Sequence, residues 1–194
     1  MNIRITRSII PNLFTLVNLF MGFTAIVYIS NNDYFRAVIV IFVAAIFDML
    51  DGVMARLFKS TSEFGVELDS LCDAVSFGIA PAYLSYNVFF HQYGEIGILF
   101  GSLPALTGVV RLARFNVQIS SFEDKLYFTG LPIPAGALTI ISYILFYHLT
   151  DIIPNDYKPF IFFVVIIGTS IAMVSRIKCN NIPRPSKKAI KQNP

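Results

Sequence analysis

Apolar residues in this chain come in long runs, not in one-sided stripes, and this limits what the chain can fold into. A run such as "LFTLVNLFMGFTAIVYI" has no polar face to turn toward water. A membrane-spanning helix needs about 20 predominantly apolar residues. Hydrocarbon offers the backbone no hydrogen-bond partners, so runs of this kind must bond internally, as helices. With 55% hydrophobic residues among 194, the chain holds more apolar material than a soluble domain of its size uses. The expected fold class is an all-α membrane protein with six transmembrane helices, at approximately 9–30, 35–56, 66–90, 95–114, 131–150 and 158–177. Polar and turn-forming residues mark the breaks: Asn31-Asn32-Asp33, Lys59 to Glu63, His91 to Glu95, Ser120 to Lys125, and Asp151 to Lys158 with Pro154 inside it.

The placement of the basic residues orients the bundle. Loops on the cytoplasmic side of a membrane protein are enriched in Lys and Arg. If the N-terminus is cytoplasmic, that side holds Arg4, Arg7, Arg56, Lys59, Arg111, Arg114, Lys125, Arg176, Lys178, Arg184, Lys187, Lys188 and Lys191. The other side keeps only Arg36 and Lys158, along with the acids Asp33, Glu95, Asp151 and Asp156. Six spans with both termini cytoplasmic separate the charges most cleanly, which places the protein in the cytoplasmic membrane. Residues 1–178 form one transmembrane domain, and 179–194 a basic, flexible tail near anionic headgroups. No internal repeat, second domain or cleavable signal is expected, since the first apolar run is long and followed by further spans. The basic residues flank spans, so no nucleic-acid partner is expected. Cys72 and Cys179 are far apart in sequence and match no metal-ligand or disulfide pattern. Pro11, Pro81, Pro104, Pro132 and Pro134 read first as kinks and helix ends.

Against this apolar background stand four aspartates, in "DMLDGVMARLFKSTSEFGVELDSLCD" at 48–73. Asp48 and Asp51 are spaced i, i+3 near the end of the second span; Asp69 and Asp73 are spaced i, i+4 near the start of the third. Each pair projects from one helix face. A short loop joins the two helices, so the carboxylates can converge. Four converging anions would repel strongly, and a divalent cation removes that cost; carboxylate oxygens suit Mg²⁺, Mn²⁺ or Ca²⁺. Four carboxylates can hold two such ions, the arrangement that clamps a phosphoryl group. Gly52 and Ala55 share the face of the first pair, and Gly65 that of the second, leaving room for a bulky ligand. Arg56 is placed to grip a phosphate. The competing readings are close helix packing for the small residues and a flanking positive charge for Arg56. Intramembrane carboxylates, in contrast, mark a functional site by default.

The pattern D-x2-D-G-x2-A-R-x8-G-x3-D-x3-D is complete at Asp48, Asp51, Gly52, Ala55, Arg56, Gly65, Asp69 and Asp73. It resembles the signature of the CDP-alcohol phosphotransferases. The segments "IPNLFTLVNLFMGFTAI", "RLARFNV" at 111–117 and "FTGLPIPAGA" at 128–137 are similar to those of the membrane-embedded phosphatidylserine synthases and archaetidylserine synthases within that family. The resemblance covers roughly residues 4 to 150. It implies a six-helix homodimer with a dinuclear metal site, in which Asp48, Asp51, Asp69 and Asp73 bind metal and Asp73 is also the general base. It places Gly52, Ala55, Arg56 and Gly65 beside the CDP moiety, and Asn12 and Thr15 of the first span near the nucleotide; helix-capping is the competing role for those two.

The implied reaction transfers a phosphatidyl or archaetidyl group from CDP-diacylglycerol or CDP-archaeol to the hydroxyl of L-serine, releasing CMP. Arg111 and Arg114 are candidates for the serine carboxylate, and Asn116 for further hydrogen bonds; flanking anchors are the alternative, and the preferred one for Lys125. Gly130 and Pro132 are placed to shape the entrance at the start of span five. Two rivals stay open. The acceptor could be glycerol phosphate or inositol phosphate, although a phosphate dianion calls for a denser cationic pocket. A divalent-cation channel would explain the aspartates, but not the glycines and Arg56.

Overall fold

The structure is a computed structural model that describes residues 9–58, 62–120, 128–149, 157–175 and 178–179. Lys125 and residues 180–194 of the proposed tail lie outside the described residues, as do the side chains of Ala55 and Arg56. All six apolar runs are helical. They are α1 (Ile9–Ser30), α2 (Tyr34–Phe58), α3 (Glu63–Asp73) continued through a π turn (Ala74–Ile79) into α4 (Ala80–Val88), α5 (Gly94–Ser120), α6 (Ile133–Leu149) and α7 (Lys158–Val174). A 3₁₀ turn (Phe90–Tyr93) links α4 to α5. Among the described residues, the one departure from an all-helical description is a two-residue antiparallel pair, β1 (Phe128–Thr129) with β2 (Lys178–Cys179). Among the described residues, three helical stretches are long and apolar enough to cross a membrane: Pro11–Ser30, Tyr34–Met54 and Phe90–Gln118.

Local chemistry explains the boundaries. Asn32 takes φ 60°, a left-handed conformation that Asn tolerates, and so turns α1 tightly into α2. Asp33 then caps α2 by accepting from the Arg36 N–H at 3.2 Å. The third helix starts at Glu63, earlier than the apolar pattern suggests. Ser62 has extended backbone, and its Oγ accepts from the Gly65 N–H at 3.0 Å. The last helix stops at Val174, short of 177, where Ser175 turns to ψ 149°.

Packing places the two ends of the bundle apart in character. At one end Phe90 stacks on Phe162 at 5.4 Å, with Phe89 edge-on to Phe162 at 5.3 Å. Tyr143 Oη donates to the Lys158 carbonyl at 2.8 Å, tying α6 to α7. The other end gathers the start of α1, the end of α2, the start of α3 and the end of α7, and all four aspartates lie there. Gly130 (φ 78°) carries the chain into α6 against the carbonyls of Met173 and Ser175. A Cβ there would sit 2.6 Å and 3.0 Å from those oxygens, and the next residue, Leu131, donates its N–H to Ala172 O at 2.9 Å. This is the structural content of the "GLPIP" segment: it docks α6 onto the end of α7.

Outside, Phe35, Ile39, Phe42, Ile46 and Met49 run along one face of α2, all exposed. Phe20, Phe23 and Val27 do the same on α1. An exposed apolar face of this extent is untenable in water and expected in lipid. The chain is an integral membrane protein.

Candidate active site

Helix α2 brings Asp48 and Asp51 to the carboxylate end, and α3 brings Asp69 and Asp73. Helix α2 runs antiparallel to α1 and α3 runs parallel to it, with Thr15 of α1 opposite Asp51 and Asn18 opposite Asp73, so the two carboxylate pairs meet along α1. Asp48, Asp51 and Asp69 each offer an oxygen such that all three lie within 4.8 Å of one another. Asp73 stands beside this triad, 7% exposed. Its Oδ1 accepts from Asn18 Nδ2 at 3.3 Å, and its carboxyl group lies within hydrogen-bonding reach of Asp48.

Helix α1 supplies the supports. Thr15 Oγ donates toward Asp51 Oδ2 at 2.9 Å and toward the Pro11 carbonyl at 3.1 Å. Asn12 lies against α3: a Cβ added at Gly65 would be 3.3 Å from Asn12 Oδ1 and 3.2 Å from Ser62 Oγ. Gly65 therefore allows close helix approach in this structure, the packing role weighed above. Gly52 differs, since a Cβ there would meet nothing within 4 Å. Its face of α2 is open beside Asp48 and Asp51.

The residues considered for serine separate. Arg111 on α5 is buried at 9% exposure, lies within electrostatic reach of Asp73, and has an Nε with no hydrogen-bond partner among the described residues. Arg114 is exposed and donates from Nη1 to the Val174 carbonyl at 3.0 Å, at the end of α7. Asn116 is bound on both sides of its amide: Ser70 Oγ donates to its Oδ1 at 3.1 Å, and its Nδ2 donates to Glu67 at 3.3 Å. It ties α5 to α3. Pro132 precedes α6 and its carbonyl accepts from Gly136 N–H at 3.0 Å. Cys72 is buried and free, as a plain thiol.

Three close carboxylate oxygens form a hard donor set. One oxygen of Asp69, Oδ1, is buried with no hydrogen-bond partner among the described residues, which is costly unless a cation satisfies it. The residues fit a divalent metal ion.

Asn18, Ser76 and the π turn join the site in the structure without belonging to any motif in the sequence. Asn18 carried a usable signal, as a polar residue inside an apolar run. The π turn carried none.

Comparison with known proteins agrees with this geometry. The sequence profile of the CDP-alcohol phosphatidyltransferase family matches residues 8–175, and the chain belongs to that family. It is 37% identical over 177 residues to the CDP-diacylglycerol–serine O-phosphatidyltransferase of Helicobacter pylori, covering 90% of this chain and 73% of that one. It is 36% identical over 171 residues to the archaetidylserine synthase of Methanothermobacter thermautotrophicus, covering 87% and 68%. Among solved structures, the phosphatidylinositol phosphate synthase of Mycobacterium tuberculosis with CDP-DAG bound superposes with a TM-score of 0.62 over 90% of this chain and 85% of that one. At 21% identity that likeness speaks for the fold.

Proposed function

We propose that the chain transfers a phosphatidyl group from a CDP-linked lipid to the hydroxyl of L-serine, releasing CMP. The carrying observation is that three aspartates of the eight-position signature, Asp48, Asp51 and Asp69, each place an oxygen within 4.8 Å of the others. Relatives named as serine phosphatidyltransferases support serine as the acceptor. A relative named archaetidylserine synthase leaves both diacylglycerol and archaeol donors within reach of the same site.

In this reading Asp48, Asp51, Asp69 and Asp73 hold two divalent ions, Mg²⁺ or Mn²⁺. Bound there, the ions supply charge neutralisation for the two phosphates and the leaving oxygen. The open face at Gly52, with Ala55 and Arg56 on the same helix, receives the CDP moiety, and Asn12, Thr15 and Gly65 border it. The serine hydroxyl oxygen attacks the lipid-side β-phosphorus. A new P–O bond forms, the bond to the bridging oxygen breaks, and CMP leaves with that electron pair. Asp73 takes the serine proton on a carboxylate oxygen. Arg111 anchors the serine carboxylate: it is buried, within electrostatic reach of Asp73, and its Nε has no partner among the described residues. Arg114 and Asn116, bonded to α7 and α3, hold the wall behind it.

The six helical runs cross the bilayer with both termini in the cytoplasm. The site then faces the cytoplasm at headgroup depth, where lipid chains stay in the membrane and serine arrives from water. The protein works as a homodimer in the cytoplasmic membrane.

The test is product identification. Purified protein in vesicles with CDP-diacylglycerol and Mn²⁺ is given L-serine, glycerol phosphate or inositol phosphate in turn. Phosphatidylserine with equimolar CMP is expected from serine alone. Product from a phosphorylated acceptor only would keep the chemistry and overturn the acceptor.

A further inference from the structure

We infer that Asn18 is the positioning residue of Asp73. The inference rests on the reading above that Asp73 binds metal and takes the serine proton. Asn18 lies in the middle of α1 and is 0% exposed. Its Nδ2 donates to Asp73 Oδ1 at 3.3 Å, while its own Oδ1 has no partner among the described residues. A fully buried amide that is only half paired opposes folding. Packing alone would favour an apolar residue here, so the bond to Asp73 is what the side chain provides.

The backbone of Asn18 is held as firmly as its side chain. Ser76 Oγ donates to the Asn18 carbonyl at 2.9 Å. Asp73 ends α3, and Ser76 lies in the π turn that follows. Asn18 thus clasps both sides of the junction at which the helix widens. The widening is explicit: the Ala80 N–H reaches back to the Val75 carbonyl, a five-residue step. Close approach of α1 depends on Gly22, one turn on from Asn18. A Cβ at Gly22 would lie 2.8 Å from Ser76 Cα, nearer than side chains tolerate.

The clasp fixes the rotamer of Asp73 by occupying one carboxylate oxygen and leaves the remainder of the group for the cluster. Asn18 is 0% exposed and bonds to Asp73. Its effect passes through that carboxylate, as partners behind metal ligands commonly act.

Three quantities test this on the full-length protein in detergent: unfolding temperature without metal, the Mn²⁺ concentration that half-saturates thermal stabilisation, and steady-state kinetics. Asn18→Leu keeps the size and removes the donor. Its kcat should fall about 10- to 100-fold and its Mn²⁺ midpoint should rise about tenfold. Its metal-free unfolding temperature and its KM for CDP-diacylglycerol should stay near those of the unmodified protein. Unchanged kcat with an unchanged Mn²⁺ midpoint overturns the inference. So does a raised KM with intact kcat, which would mean that Asn18 binds substrate. If Asn18→Leu does not fold, Ser76→Ala decides, because it removes only the hydroxyl that holds Asn18. It should lower kcat and raise the Mn²⁺ midpoint in the same directions, and no change in either overturns the clasp. Asp73→Asn is assayed in parallel. Full activity there would refute the role of Asp73 itself, whatever Asn18 does.

Discussion

A hydroxyl on the first helix reaches the carboxylate cluster. Thr15 lies 2.9 Å from Asp51 Oδ2, and no other side chain is recorded on that oxygen among the described residues. Thr15→Val keeps the shape and removes the bond. Because Thr15 acts through Asp51, its loss should lower activity about 10- to 100-fold, while the amount of folded protein in membranes stays constant; initial rates on matched membranes check this. Arg111 makes a sharper prediction about the acceptor. Arg111→Lys retains the charge but loses the planar two-pronged geometry that matches a carboxylate. The KM for serine should rise about tenfold or more, against little change in the KM for CDP-diacylglycerol. A uniform loss in both would place Arg111 elsewhere. At this scale the aspartates were legible in the sequence, because charge inside an apolar run is costly and conspicuous. The roles of Arg114 and Asn116 were not legible, since their partners, the Val174 carbonyl and Glu67, lie 60 and 49 residues away in the chain.

At the scale of elements, the six apolar runs announced six helices because bilayer-length runs leave the backbone no alternative. Their ends were less visible. Ser62 starts α3 by capping, a signal that hydropathy does not contain, and Ser175 ends α7 by a backbone turn. The π turn packs on α1 through Ser76, 58 residues from its partner Asn18, a contact that no local pattern discloses. Gly130 joins two elements at a conformation that other residues adopt only with strain. Gly130→Ala should destabilise the protein by about 1–3 kcal/mol from φ alone, and its Cβ would also press on the Met173 carbonyl. A lowered unfolding temperature, with the KM for serine preserved in the folded fraction, checks that this segment docks α6 and does not touch substrate.

For the whole molecule, orientation and metal dependence are the open properties that function requires. In the proposed topology, a membrane-impermeant maleimide added to intact cells should label a cysteine placed at Asp33 and leave Cys179 unlabelled until the membrane is broken. Labelling in the reverse pattern would invert the topology inferred from the basic residues. Chelation of divalent ions should abolish activity and Mn²⁺ or Mg²⁺ should restore it, because the cluster offers hard oxygen donors. The apolar belt and the charge asymmetry were readable from the sequence alone. The meeting of α1, α2 and α3 at one end is a property of the assembled bundle.

The most direct measurement of the central claim is CMP release by the purified protein given CDP-diacylglycerol, Mn²⁺ and L-serine, beside Asp73→Asn under the same conditions. CMP release should require serine and fall by about 10²- to 10⁴-fold in the variant. Serine-dependent release that survives in Asp73→Asn would contradict the assignment of the base. Absence of release with every acceptor, from folded protein that binds Mn²⁺, would contradict the reaction itself.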